Sequence, residues 1–407
     1  MSRAPFKPSE PQPPEKLGPS AGASAAKQVP PAKLAPYATL EAWRGFASLW
    51  VVMFHTTHAL IVRYPALAAS PVYVFSSLGG LGVQLFFVIS GYCITTAACN
   101  ALGRPGGFRQ FVRARVRRIY PPFWAAWTLA AVFSILAAWI AAQRHLPSYS
   151  GEHDVLKEPL SFWLSNLTLT QEAVRGDSLI SPTWTLSYEV GFYLIVGLLV
   201  LVPVLKRHGT VWFLNALHAL TATSLLIFAF VPHFRLYPLD LWPQFGLGAI
   251  VYDLVRHPGQ WRPRFWLAGC AALLLAGLVH PGLTSGPEPG AVRQTFSTAF
   301  LFALALWALH PYDPQLSRTA AVRVFASVGV FSYSLYLIHM LVIGFANQIV
   351  HQAKLPERMH LIEFVGTVAA AIAVGRVFYF FFERPFVKPI REASGKNAPI
   401  IAGQSAE

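Results

Sequence analysis

Arg44 and His55 stand eleven residues apart in EAWRGFASLWVVMFHTTH, residues 41–58, an otherwise apolar stretch. Eleven residues is about three helical turns, so a helix puts both on one face, with Glu41 and His58 near the same stripe. Other polar groups recur inside apolar segments: Gln84 in GGLGVQLFFVISGY, Glu189 in SPTWTLSYEVGFYL and His339 in FSYSLYLIHML. Counted at about 1.5 Å per residue from the expected helix ends, His55, Gln84, Glu189 and His339 share one depth. Two imidazoles and a carboxylate in one layer suit general acid–base chemistry, with the carboxylate orienting or charging an imidazole. The same groups would serve equally as a hydrogen-bond network that holds helices together, and spacing does not choose. FRQFVRARVRRIYPPFW carries Arg115 and Arg118, three apart and so on one helical face. Such a pair can grip phosphates through charge-assisted, bidentate contacts, or can simply mark a cytoplasmic flank.

The elements that must position these groups follow from composition. Of 407 residues, 54% are hydrophobic and only 12% charged; mean hydropathy is +0.46. That charge content is about half of what a soluble domain carries. Apolar runs of roughly 18 or more residues recur, each long enough to cross about 30 Å of hydrocarbon. The expected class is an all-α polytopic membrane protein. Ten spans are predicted, at 40–62, 78–98, 119–142, 184–205, 211–231, 239–256, 265–283, 292–310, 324–350 and 361–382. Residues 162–169 are too short to span and read as re-entrant or interfacial. No paired repeat of segments is visible, which weighs against an inverted-repeat transporter.

With the N-terminus inside, 22 of the 32 Lys and Arg fall on the cytoplasmic side and 8 outside. The positive-inside rule therefore gives an N-in, C-in topology. The net charge of +14 is thus assigned to membrane orientation, with no nucleic-acid partner expected. Residues 1–38, rich in Pro, Ala, Ser and Lys, read as a disordered cytoplasmic tail; 39–387 form the transmembrane domain, and 388–407 a short polar cytoplasmic tail. Cys93, Cys99 and Cys270 lack any ligand-like spacing and are expected as small buried apolar residues, with no metal site. Asp253 with Arg256, and Glu383 with Arg384, are expected as inner-end anchors or ion pairs. His218 is expected to be structural, and Glu363 and Arg376 have no assigned role.

Six pieces, EAWRGFASLWVVMFH, GVQLFFVISGY, RVRRIYPPFW, PTWTLSYEVGFYL, SYSLYLIH and FFERPF, occur in order over residues 38–387. In these the chain resembles acyltransferase family 3, integral-membrane enzymes that acylate bacterial cell-surface carbohydrates. The resemblance implies that Arg44 and His55 are the family's Arg-x10-His pair, with His55 catalytic. It implies that Arg115 and Arg118 are its cytoplasmic RxxR motif on the acyl-donor side, and that Glu189 is the acid of the helix opening W-(S/T)-L. Gln84 departs from the aspartate common at its position, and Val-Gly follows Glu189 in place of Glu-Gln. The extra helix and periplasmic hydrolase-like domain of some members are not seen, so the chain reads as a minimal member.

The expected reaction is transfer of an acyl group, acetyl before succinyl, from cytosolic acyl-CoA to a carbohydrate or lipid-linked glycan hydroxyl at the inner (plasma) membrane. His55 would be general base, Glu189 would orient it, and Arg44, Arg115 and Arg118 would bind the donor. Gln84, Trp184, Tyr193 and His339 would line the site. Acyl-CoA is expected as co-substrate, with no bound cofactor. A glycan transporter or flippase, or a non-catalytic partner of polysaccharide export, are the competing classes.

Overall fold

A computed structural model of the chain describes residues 37–143, 155–231, 235–279, 289–354 and 356–387. The two tails expected at 1–38 and 388–407 lie almost wholly outside the described residues. Twelve principal helices follow one another: α1 (Leu40–Arg63), α2 (Gly82–Ala101), α3 (Gly107–Gln143), α4 (Leu160–Thr168), α5 (Trp184–Leu201), α6 (Thr210–Phe230), α7 (Trp242–Arg256), α8 (Trp261–Val279), α9 (Pro289–Leu309), α10 (Ala320–Gly329), α11 (Ser332–Ala353) and α12 (His360–Phe378). Short helical turns link several of them, and no strand occurs among the described residues. The fold is all-α and polytopic.

Each of the ten predicted spans has its helix, yet eight among the described residues are long and apolar enough to cross a membrane. The two that fall short are α7 and α8. Helix α7 has 15 residues, and Trp242 to Val255 are all buried. About 22 Å of helix cannot cross 30 Å of hydrocarbon unaided, so α7 is an interior strut clad by its neighbours. Helix α8 begins with Arg262 and Arg264, which lower its hydropathy. By contrast, α3 turns Val132, Leu136 and Trp139 outward, a spacing of three to four that gives it a lipid-facing stripe.

Two boundaries differ from the sequence expectation. Helix α3 starts at Gly107, twelve residues before the predicted span, and takes in the arginine segment and Pro121–Pro122. Hydropathy penalised that segment because it carries no information that Arg115 and Arg118 face a polar cavity. The span expected at 324–350 is two helices, broken at Phe331, whose φ −115° and ψ 19° leave the helical region. The new α11 N-terminus is capped by Glu383, which accepts hydrogen bonds from the Ser334 amide at 3.1 Å and its hydroxyl at 2.5 Å. A carboxylate there satisfies an otherwise free amide and complements the helix dipole. Glu383 therefore serves α11, and its expected pairing with Arg384 is replaced by this cap.

Close helix contacts rest on glycine. A Cβ at Gly91 of α2 would lie 1.9 Å from the Phe245 carbonyl oxygen, and one at Gly248 of α7 would lie 2.0 Å from that of Val88. Gly45 of α1 and Gly329 of α10 meet the same way. Small residues let backbones approach where lipid supplies no hydrophobic drive. Buried charge adds a second fastening. Asp253 of α7, fully buried, takes both guanidinium nitrogens of Arg262 at 2.8 Å, His218 Nε2 at 2.9 Å and His257 Nδ1 at 2.7 Å. Asp253 thus joins α6, α7 and α8, and the expected partner Arg256 is replaced by Arg262. At the other end Arg63 pairs with Glu363 at 2.8 Å and Asn347 at 3.0 Å, tying α1 to α12 and α11.

Candidate functional site

A cavity of about 790 Å³, counting its open mouth, lies among α1, α2, α3, α5 and α11. One end carries Arg44, Arg115 and Arg118; the opposite wall carries Val83, Phe86, Thr185 and Tyr336, with Glu189, Ser90, Cys93 and Tyr193 between. Three guanidinium groups face one carboxylate, so the cavity favours an anion. Arg115 and Arg118 reach it from one face of α3, as their spacing requires. Arg115 lies over the Tyr193 ring, 5.6 Å from its centre, and its Nε is buried without a partner among the described residues. Arg44 pairs with exposed Glu41 at 3.4 Å and keeps its head at the cavity.

Pro121 and Pro122 lack amides, so the carbonyls of Arg117 and Arg118 lose their intrahelical donors just where the arginines enter the cavity. Tyr333 of α11 donates to the Ile119 carbonyl at 2.9 Å and clamps α11 against this stretch of α3. The Glu383 cap one residue later fixes the same turn. The C-terminal FFERPF segment thereby shapes a cavity it does not line.

Beside Tyr336 lies a histidine pair. The rings of His55 and His339 are 5.2 Å apart, and the Tyr336 and His339 rings 5.7 Å. His339 Nδ1 is 2.7 Å from the Tyr336 carbonyl, which can only accept, so the proton of the neutral ring sits on Nδ1. Its Nε2 is then a lone pair, buried and unpartnered among the described residues. Tyr336 is itself held by Thr185 at 2.7 Å and the Pro182 carbonyl at 3.0 Å.

The single polar layer expected from helix depth therefore divides in two. Glu189 accepts hydrogen bonds from Ser90 and Tyr193, and among the described residues none joins it to His55. Its expected role as the orienting carboxylate of His55 is not supported by this geometry. Depth along a helix leaves the direction open, since each residue turns it by about 100°. Gln84 is buried, its Oε1 unpartnered, and it does not line the cavity. Trp184 lies on another face of α5, edge-on to Phe87 and Tyr188. Cys270 is buried, while Cys93 and Cys99 are half-buried. Sequence reasoning missed Ser90, Tyr333, Tyr336 and the buried Ser332 hydroxyl. A cue existed for three of these, since SYSLY places Ser332, Tyr333 and Tyr336 within two turns of His339.

The described residues thus form a polytopic bundle with a cationic cavity beside a histidine pair. A family model described as an acyltransferase domain, of the acyltransferase 3 type, matches residues 37–380. The chain belongs to this family. The acyltransferase is 26% identical over 322 residues to a putative membrane-bound transacylase, BcsY, of Komagataeibacter xylinus, covering 75% of this chain and 76% of that protein. It is 24% identical over 379 residues to the O-acetyltransferase OatA of Staphylococcus aureus NCTC 8325, covering 86% of this chain. The match spans 57% of the length of OatA. No solved structure matches the acyltransferase significantly.

Proposed function

We propose that this membrane acyltransferase moves an acyl group, acetyl foremost, from cytosolic acyl-CoA to a hydroxyl of a cell-surface or exported carbohydrate, at the inner (plasma) membrane. The observation that carries the reading is the cavity that has Arg44, Arg115 and Arg118 at one end and Tyr336, beside the His55–His339 pair, in its opposite wall. An O-acetyltransferase among the relatives points to the acetyl group and the oxygen acceptor.

In this reading the arginine-rich end faces the cytosol and the three guanidiniums hold the phosphates of CoA. The pantetheine arm extends along the cavity toward Tyr336 and delivers the thioester to the histidines. His55 takes the proton of the acceptor hydroxyl as its oxygen attacks the thioester carbonyl. The C–S bond breaks, and the departing thiolate recovers a proton from the imidazolium. His339 takes the positioning role first assigned to Glu189: its free Nε2 accepts a hydrogen bond from the His55 imidazolium. Glu189, with Ser90 and Tyr193, sets the lie of the arginines around the donor.

Membrane vesicles containing wild type or His55→Ala at matched levels, supplied with labelled acetyl-CoA, provide the test. Label in envelope or secreted glycan that disappears with His55→Ala is the expected result. Equal label in both removes His55 as base. No label from wild type with acetyl- or succinyl-CoA removes the donor assignment.

A further inference from the structure

A second and larger space lies away from the arginine cavity. It encloses about 1620 Å³, counting its open mouth, and is lined by the 172–177 turn, the 235–241 turn, the start of α5, Phe228 of α6 and Thr295–Phe296 of α9. We infer that this cleft is the seat of the acyl acceptor and that the acceptor is a neutral saccharide, an inference that rests on the carbohydrate reading above.

A pyranose has two faces of C–H groups and a rim of hydroxyls, so its complement is an aromatic surface edged by hydrogen-bonding groups. The cleft has both. Trp184, Tyr188, Tyr237 and Phe228 supply the rings, and Glu172, Asp177 and Asp240 the acceptors. Tyr188 and Tyr237 pack 5.1 Å apart and are fixed at their hydroxyls: Tyr188 donates to Asp240 Oδ2 at 2.9 Å and Tyr237 to the Ser187 carbonyl at 2.6 Å. Ring faces, not phenol hydroxyls, are therefore what these tyrosines offer. The Asp240 carboxylate is held on one side by Tyr188 and by the backbone amides of Asp240 and Leu241, and its Oδ1 is buried with no side-chain donor among the described residues. It is therefore a fixed acceptor at the cleft wall, short of the donors a carboxylate can take.

Charge narrows the class. Three carboxylates against Arg175 and Arg235 give no excess of positive charge. An anionic sugar would meet Glu172, Asp177 and Asp240 together, whereas a neutral one meets only acceptors for its hydroxyls. The cleft also stands in the right relation to the donor cavity. Thr185 and Glu189 of α5 line that cavity, while Trp184 and Tyr188 line this cleft. Helix α5 partitions the two spaces along its length. They adjoin at its start, where Trp184 borders the cleft and the next residue, Thr185, the cavity; the saccharide's reacting hydroxyl reaches the thioester around that end.

The test is equilibrium dialysis of the protein in lipid nanodiscs against radiolabelled cellotetraose and chitotetraose, with tetragalacturonate as the anionic probe. Binding of a neutral probe, at least tenfold weaker to Asp240→Asn or Glu172→Gln and unchanged in exposed Glu357→Gln, is expected. Acetyl-CoA binding, measured on the same samples, stays at wild-type level and shows that each variant is folded. No binding of either neutral probe, tighter binding of tetragalacturonate, or wild-type binding by both cleft variants overturns the inference. Saccharide binding with no transfer of label in the vesicle assay would sink the reaction while leaving the cleft standing.

Discussion

At the residue scale the donor arginines and the cleft carboxylates make separable predictions. A charge-assisted hydrogen bond from guanidinium to phosphate is worth about 1.5–3 kcal/mol. Arg118→Ala should then raise the KM for acyl-CoA by roughly ten- to a hundredfold, with the acceptor KM unchanged; initial rates at varied donor check it. Arg118→Lys should recover only part, since an ammonium cannot make the forked contact. In the outer cleft, burial first, with mutual repulsion between Glu172 and Asp240, holds the Glu172 carboxyl above the usual range, against the pull of Arg235. Burial raises Asp240 as well, opposed by its Tyr188 hydrogen bond, by the backbone amides of Asp240 and Leu241 and by Arg235. Groups raised this way take up protons at a pH where ordinary carboxylates stay ionised, and a protonated carboxyl accepts hydrogen bonds less well. Saccharide affinity should therefore fall as pH is lowered, beginning above the ordinary carboxylate pKa of about 4. Titration of binding in Glu172→Gln with Asp240→Asn should lose that dependence. Stability moves the opposite way, because a raised carboxyl pKa favours the folded state more as pH falls.

At the scale of elements, the polar staples and glycine contacts carry the bundle. Asp253→Asn leaves Arg262 buried against a neutral amide, and removing one partner of a buried pair costs about 3–5 kcal/mol. Thermal unfolding in detergent should show a clear drop in midpoint, while the surviving enzyme keeps its KM for acyl-CoA. Gly91→Leu forces a side chain into the α7 backbone, where Phe245 O leaves 1.9 Å, and should reduce the folded yield by size-exclusion chromatography. Much of this level was legible in the sequence. Ten helices were predicted, and ten lie near the expected residues, because apolar runs state their own length. The break at Phe331 and the early start of α3 were not, since both depend on partners remote in sequence: Glu383 for one, a polar cavity for the other. The site was legible as a set of residue types and not as a grouping. Arg115 with Arg118 followed from spacing, but placing Glu189 with Ser90 and Tyr193, apart from His55, depends on the rotation of α5 about its axis.

At the scale of the molecule, N-in, C-in topology predicts sidedness. Cysteines introduced at Arg323 and Glu357, both exposed, should react with an impermeant maleimide only from opposite faces of the membrane. The cysteine at Arg323 should label from the cytosolic face and that at Glu357 from the outer face. The swapped pattern would reverse the assignment of the arginine-rich end to the cytosol, and labelling of both from one side would break the topology. The partition formed by α5 has a further consequence, for the order of events in turnover. Two ligands seated against different faces of one helix do not compete for space, so neither must leave before the other binds. Initial rates measured over a grid of both substrates should give double-reciprocal lines that intersect, the signature of a ternary complex. Parallel lines would mean that the acyl group rests on the protein between two half-reactions.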